Sequence, residues 1–402
     1  MPQRIESNEQ RYGGGGLRRQ RESSEFDIHD AQEFALMPLS KLRFSLHNET
    51  TADLVEAGDA IWDLNQRVTE LDKEVYAAAF LNIEAIASVR MDGKPPSADT
   101  IFYEQAAATF DKGTSIDYLV RYQRDRRALE YTLEVAREDC SADALCSLHA
   151  KVLPPRHSGM GGVLRDNLKQ VGGSRYHLFG DAYAMPAPED IGPLLDDVAR
   201  FMNDTGIPVI EQAGIAHAQL VNIHPFERGN GKMARMAIYI TLRHQNASPH
   251  YLVPFTPSIV VSNHDYVAGI DACKFEENTP REVVEKSANA WLQYFSSCCL
   301  SSVGLCSRFV TECESFYAAQ LERLTLRKGS AAYNLLRSLP ALPTFTVQMA
   351  ADYLGCSFKR ASEAAKQLAE QGAIELLGNA KRNRIYSCPE IIEAYLNIDA
   401  LR

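Results

Sequence analysis

Apolar residues recur at steps of three and four over Ile61, Leu64, Val68 and Leu71, then over Val75, Phe80, Ile83, Ile86 and Val89. That period predicts two amphipathic helices between Leu54 and Val89, the second stopped by Asp92-Gly93 and Pro95-Pro96. The same period predicts helices over Ser115 to Glu138, Ala142 to Val152, Ile191 to Met202 and Ile215 to Val221. Further helices follow from Met236 to Arg243 and through Trp291 toward Leu300. Between them, Pro154 to Gly162 reads as a mobile loop. Tyr251 to Val261, with Pro249, Pro254 and Pro257 in and around it, reads as an apolar loop. The fold class is mainly α.

The last stretch changes character. Phe345 to Leu354 has a short helical pattern, Gly355-Cys356-Ser357 a tight turn, and Phe358 to Glu370 a second helix closed by Gly372. Ile374 to Leu377 and Arg384 to Ser387 then read as strands around Gly378-Asn379. Helix, turn, helix and a two-stranded wing make a C-terminal winged helix-turn-helix domain. Ser357, Lys359, Arg360, Ser362 and Lys366 would face a DNA groove, with Lys381, Arg382 and Arg384 on phosphates, while Glu363 and Glu370 oppose that partner. Protein contact or homodimer formation is the competing use.

Composition narrows the class. The chain has 402 residues, 45% hydrophobic and 23% charged, which suits a soluble protein of two to three domains. A net charge of -10 excludes a surface given over wholly to nucleic acid. Nine cysteines without a C-x-x-C pair read as free thiols of a reducing, cytoplasmic setting. No apolar run approaches the ~18 residues of a membrane helix, so no membrane partner is expected. Residues 1–30, with Gly13 to Gly16 and Arg18, Arg19 and Arg21, read as a disordered tail. In Ser115 to Glu138, Asp117, Asp125, Glu130 and Glu134 interleave with Arg121, Arg124, Arg126 and Arg127, which reads as a solvated face.

Chemistry concentrates in Ile223-His224-Pro225-Phe226-Glu227-Arg228-Gly229-Asn230-Gly231-Lys232-Met233-Ala234-Arg235. An apolar segment ends at His224 because Pro225 cannot donate an N–H and fixes φ. Gly229-Asn230-Gly231 then tolerates positive φ and opens a helix, whose unpaired N–H groups and positive dipole end suit phosphate. Lys232 and Arg235 share one face of its first turn, where a cation is unfavourable unless an anion answers it.

This segment resembles the Fic motif, His-Pro-Phe-x-(Asp/Glu)-Gly-Asn-(Gly/Lys)-x-x-x-Arg, whose members mostly transfer AMP from ATP to a protein hydroxyl. The resemblance implies a Fic helical core with a small β-hairpin flap, His224 as general base and Phe226 as the loop's anchor. It implies an anion hole of Gly229, Asn230 and Gly231, with Arg235 on the terminal phosphate. Lys232 stands where many members carry Arg. Arg228 replaces the acid that holds Mg²⁺ on the phosphates, so no protein metal ligand is assigned: with ATP as cofactor and Mg²⁺ in question, Arg228 either contacts the phosphates itself and lessens the need for the metal, or leaves nucleotide binding intact while losing the leaving-group alignment that a metal enforces.

Around the motif, Ser88-Val89-Arg90-Met91-Asp92-Gly93 resembles the family's inhibitory sequence, with Asp for Glu, making Ser88 and Asp92 inhibitory candidates. A turn role for Asp92 competes. Gly162-Val163-Leu164-Arg165 and Val171-Gly172-Gly173 to Ala184-Met185-Pro186 look like the family's Gly-x-x-Arg segment and flap, with Tyr183 and Met185 as target contacts or hairpin packing. Ser262 to Tyr266 resembles the nucleotide pocket, with Asn263 and Tyr266 as contacts; a helix-capping role competes for Asn263. His217 reads as a packed or hydrogen-bonded histidine. The resulting domains are a tail at 1–30, an N-terminal helical segment at 31–110, a Fic core at 111–300, a helical linker at 301–334 and the winged helix at 335–402. The expected function is a protein adenylyltransferase acting on a Ser, Thr or Tyr hydroxyl. The rival is a nucleotide-sensing transcriptional or scaffolding regulator with a degenerate core and winged-helix output.

Overall fold

After a short 3-10 turn at Leu39–Lys41 come two long helices, α1 (Asn48–Glu70) and α2 (Lys73–Met91). In this computed structural model the described residues are 34–91, 93, 96–110, 116–153, 155–168, 170–171, 183–378 and 383–399. The expected tail, Asp92, the middle of the hairpin, and Lys381 and Arg382 lie outside them. α1 buries Leu54, Ala57, Ile61, Leu64 and Val68, a single stripe at the predicted period. α2 is buried nearly all round because α4 (Asp117–Val135) and α9 (Thr256–Val261) pack against it. The break between α1 and α2 is capped by Asp72, whose Oδ1 accepts the amide of Val75 at 3.4 Å.

After α3 (Ala98–Ala107) and α4, Ser141 caps α5 (Ala142–Val152) by accepting the Ala144 amide at 3.1 Å. A short antiparallel pair follows, β1 (Gln170–Val171) with β2 (Tyr183–Ala184), in the register Gln170 to Ala184 and Val171 to Tyr183. Next come α6 (Pro188–Met202), α7 (Val209–Ile223) and α8 (Asn230–His244). α7 is the centre of the molecule. Every residue from Gln212 to Ile223 is buried, since α8, α6, α1, α10 (Asn263–Ala272) and α11 (Arg281–Arg323) enclose it. Trp291 on α11 is buried with its indole N–H on the carbonyl of Gly214, as a core residue should be.

Two expectations are corrected here. The loop read over Tyr251 to Val261 contains α9, and Pro257 does not prevent it because it occupies the helix's first turn, where the missing N–H costs nothing. The helix through Trp291 does not stop near Leu300; it runs 43 residues, about 65 Å, so core and linker share one rod.

The C-terminal elements are α12 (Ala331–Ser338), β3 (Thr344–Thr346), α13 (Val347–Leu354), α14 (Phe358–Glu370), β4 (Glu375–Leu377), β5 (Ile385–Ser387) and α15 (Pro389–Asp399). Gly355 ends α13 at φ 58°, and Ser357 caps α14. The strands form one antiparallel sheet in the order β3-β5-β4. β3 and α15 go beyond the pattern read from sequence. Tyr395 of α15 ties this region to the rest: its ring lies 4.8 Å from Phe309 and 4.9 Å from Phe102, and its hydroxyl receives the Asn82 amide of α2 at 3.3 Å.

Candidate active site

His224 ends α7 in the left-handed region, at φ 50° and ψ 56°. A residue before proline disfavours helical dihedrals, and a β-carbon makes positive φ cost about 1 kcal/mol more, so this backbone is held rather than chosen. Two groups hold it. Its amide donates to Leu220 O at 3.2 Å, and its carbonyl accepts Arg165 Nε at 2.8 Å. Arg165, buried, also donates to Asn167 O at 2.8 Å, Pro186 O at 2.6 Å and Ile223 O at 3.3 Å. Burial pulls its pKa down, and the nearby Glu227 carboxylate pushes it back up. Glu227 therefore faces Arg165, while the Arg228 side chain is exposed.

Phe226 is fully buried, and Asn230 closes the loop around it. Asn230 Oδ1 accepts the Phe226 amide at 2.9 Å and its Nδ2 donates to the Phe226 carbonyl at 2.7 Å. The Asn230 side chain is thus a clasp, leaving the backbone to offer donors. Gly229, at φ 80°, turns the chain into α8, and no side chain among the described residues caps that helix. A β-carbon there would meet His149 Nε2 at 3.4 Å and Leu153 and Val152 at 3.5 Å, ordinary contacts, so it is the positive φ that favours glycine.

Lys232, on the first turn of α8, is held inside the protein. Its ammonium donates to Asp125 Oδ2 at 2.6 Å, in a buried pair that also receives Ser88 Oγ at 2.9 Å and Arg124 at 2.7 Å. This corrects the expectation of Asp125 as part of a solvated face. Ser88 is likewise engaged with Asp125, and Asp92 lies outside the described residues. Arg235 is buried, with its guanidinium against Gly231. Burial raises the pKa of Glu84, Tyr239 and Tyr266 and the Arg235 charge works against that rise, whereas at His217 burial lowers the pKa and Arg235 adds to the fall. Glu84, buried on α2, has its pKa raised by burial; it accepts the Thr256 amide at 2.9 Å and the Thr256 hydroxyl.

The nucleotide-pocket candidates Asn263 and Tyr266 both lie on α10. Tyr266 is turned inward, its hydroxyl 2.9 Å from His217 Nε2 and its ring near Trp291. Asn263 is the first residue of α10 rather than its cap, which is Ser262. Met185 is buried, in the packing role that competes with target contact, and the Tyr183 backbone pairs with Val171. On α14, Lys359 and Lys366 face Glu363 at 4.0 Å and Glu370 at 3.5 Å, so part of the basic face is answered internally.

His149 was missed. Its ring stacks on Phe226 at 3.6 Å and 6° between planes, Nε2 lies 2.8 Å from Arg228 O, and Nδ1 accepts the Gly162 amide at 3.0 Å. The signal was a histidine on the apolar stripe Leu145, Leu148, His149, Val152.

A base candidate at a strained helix end stands beside the uncapped start of a second helix across a clasped glycine turn, and the stretch that holds this arrangement is similar to Fic domains. Residues 139–242 match the family model described as Fic/DOC family. The chain is similar to Protein adenylyltransferase fic-1 of Caenorhabditis elegans, 26% identical over 167 residues that cover 40% of this chain and 30% of that protein. It is also similar to Protein adenylyltransferase Fic of Drosophila sechellia, 29% identical over 123 residues covering 30% of this chain and 23% of the relative. The matches thus span less than a third of either relative's length. A solved Fic family protein from Desulfovibrio desulfuricans G20 has the same fold at 15% identity, with a TM-score of 0.50 over 86% of this chain and 97% of that one.

Proposed function

We propose that this chain transfers AMP from ATP to a Ser, Thr or Tyr hydroxyl of a protein. The observation that carries the reading is His224, half-buried at φ 50° with its carbonyl braced by Arg165, beside the start of α8, which no side chain among the described residues caps. In the proposed reaction His224 accepts the proton of the target hydroxyl as its oxygen bonds to the α-phosphorus. The bond from that phosphorus to the bridging oxygen breaks, and pyrophosphate leaves. Amides of Gly229, Asn230 and Gly231 meet the charge that develops, and Arg235 attracts the terminal phosphate.

Among the described residues no group of three or more His, Cys, Asp or Glu stands ready to hold a metal ion. Arg228 presents a guanidinium where the motif it resembles carries an acid, so these residues do not fit a protein-bound Mg²⁺. The cation of Arg228 is the group available to offset phosphate charge at that position.

The test is mass spectrometry of the purified protein after incubation with ATP. An added AMP mass on the chain or on a co-incubated protein, abolished in His224→Ala, is expected. ATP binding without any AMP adduct in the unmodified protein would overturn transfer in favour of nucleotide sensing.

A further inference from the structure

We propose that His149 is a positioning residue for this reaction, one neutral ring that aims the anion-binding amide of Gly229 and ties its loop to the segment bracing His224. The inference rests on the adenylyl-transfer reading above. His149 cannot itself serve as a base: its side chain is buried and both ring nitrogens are engaged within the protein.

The partners fix its state. Nδ1 receives the Gly162 amide, so it carries a lone pair, and Nε2 faces a carbonyl that can only accept, so it carries the proton. The ring is therefore the Nε2–H tautomer, donating to Arg228 O and accepting from Gly162. The stack on Phe226, whose backbone Asn230 clasps, stops the imidazole from turning.

The consequence follows from peptide geometry. In a trans peptide the carbonyl and the next N–H point in opposite directions. With the Arg228 carbonyl drawn inward onto His149, the Gly229 N–H is directed away from His149, toward the open side of the turn. Glycine makes the opposite orientation of that peptide cheap, and it would present a carbonyl oxygen to phosphate instead. His149 supplies the bias between the two. At its other nitrogen it holds Gly162, three residues before Arg165, whose guanidinium holds the His224 carbonyl. Anion loop and base support are thus joined through a single side chain.

Three variants test this. His149→Met keeps volume without donor or acceptor, His149→Gln keeps one of each about as far apart, and His149→Ala removes both. In the AMP-transfer assay, Met and Ala should lower kcat about 10²-fold, the scale of losing one oxyanion donor, with KM for ATP little changed, and Gln should restore most of it. Amide exchange of peptides covering residues 158–165 and 226–233, read by mass spectrometry, should accelerate in Met and return in Gln. Unchanged exchange in His149→Met overturns the proposal whatever the assay reads. So does a Gln variant as slow as Met, or a loss confined to KM. If the unmodified protein transfers nothing, the functional reading fails, while the exchange comparison still decides the role of His149.

Discussion

The ammonium of Lys232 and the carboxylate of Asp125 lie 2.6 Å apart, both side chains shielded from water. A lysine in the first turn of a helix opposes the dipole, and here a carboxylate from α4 answers it. The same carboxylate receives Ser88 from α2 and Arg124, so it joins three helices around the start of α8. The two partners should not be equivalent. Asp125→Ala removes the acceptor shared by all three donors and should cost about 3–5 kcal/mol, as for breaking a buried pair. Lys232→Met leaves Asp125 neutralised by Arg124 and should cost clearly less. Urea midpoints measure the asymmetry; equal losses would show that Asp125 is not the hub.

Arg165 spreads one guanidinium over the carbonyls of His224, Asn167, Pro186 and Ile223. A lysine has three donors at a single point and cannot span them. Arg165→Lys should therefore let His224 relax from its positive φ, and a displacement of about 1 Å at a reacting group costs about 10²-fold in rate. The check is AMP transfer measured where both proteins are still folded by circular dichroism. Full activity in the variant would separate the brace from catalysis.

What the sequence disclosed, and what it withheld, follows from range. The turn from His224 to Arg235 was legible because its signals are local: proline ends a helix, glycines permit a turn, and a helix begins. Helices α1, α5 and α14 were legible because their apolar stripes repeat, and α2 because large apolar residues recur along it although it is buried nearly all round. The pair Lys232 to Asp125 spans 107 positions and Glu84 to Thr256 spans 172, so no local pattern announces them. Asp125 and His149 nonetheless left a trace: each falls on its helix's apolar stripe, where a polar group has to find a partner. Nothing along the chain signals that His224 takes a left-handed backbone, since that depends on Arg165, 59 residues away.

Arg228 divides its roles. Its carbonyl is held by His149 while its side chain is exposed, so exchanging the side chain should leave the fold intact within about 0.5 kcal/mol. Its charge, however, stands where phosphate is proposed to lie. Transfer by the unmodified protein should respond little to Mg²⁺, and Arg228→Asp should create a marked Mg²⁺ requirement. A radiolabelled ATP assay with and without chelator reads both. Strong metal stimulation of the unmodified chain would sink this account of Arg228.

His217 should give the core a defined acid weakness. It is fully buried on α7, its Nε2 2.9 Å from the Tyr266 hydroxyl and its ring stacked near Trp291. Burial pulls its pKa down to about 4, and the Arg235 charge acts in the same direction. The unfolded imidazole titrates near the ordinary value of 6.5, so between about 6.5 and about 4 the unfolded chain binds a proton that the native chain refuses. The stabilisation is complete above 6.5 and is lost as pH falls through that window, by roughly 3 kcal/mol in all. Glu84 works the other way: burial raises its pKa, so its native carboxyl keeps a proton that the unfolded one releases, and acid favours the fold there. The total slope therefore mixes signs, and a variant is required to isolate His217. His217→Gln retains a group that can meet Tyr266 but cannot titrate. Its urea midpoint should decline less between pH 7 and pH 4.5 than that of the unmodified protein; parallel declines would mean that His217 is protonated in the native state without penalty.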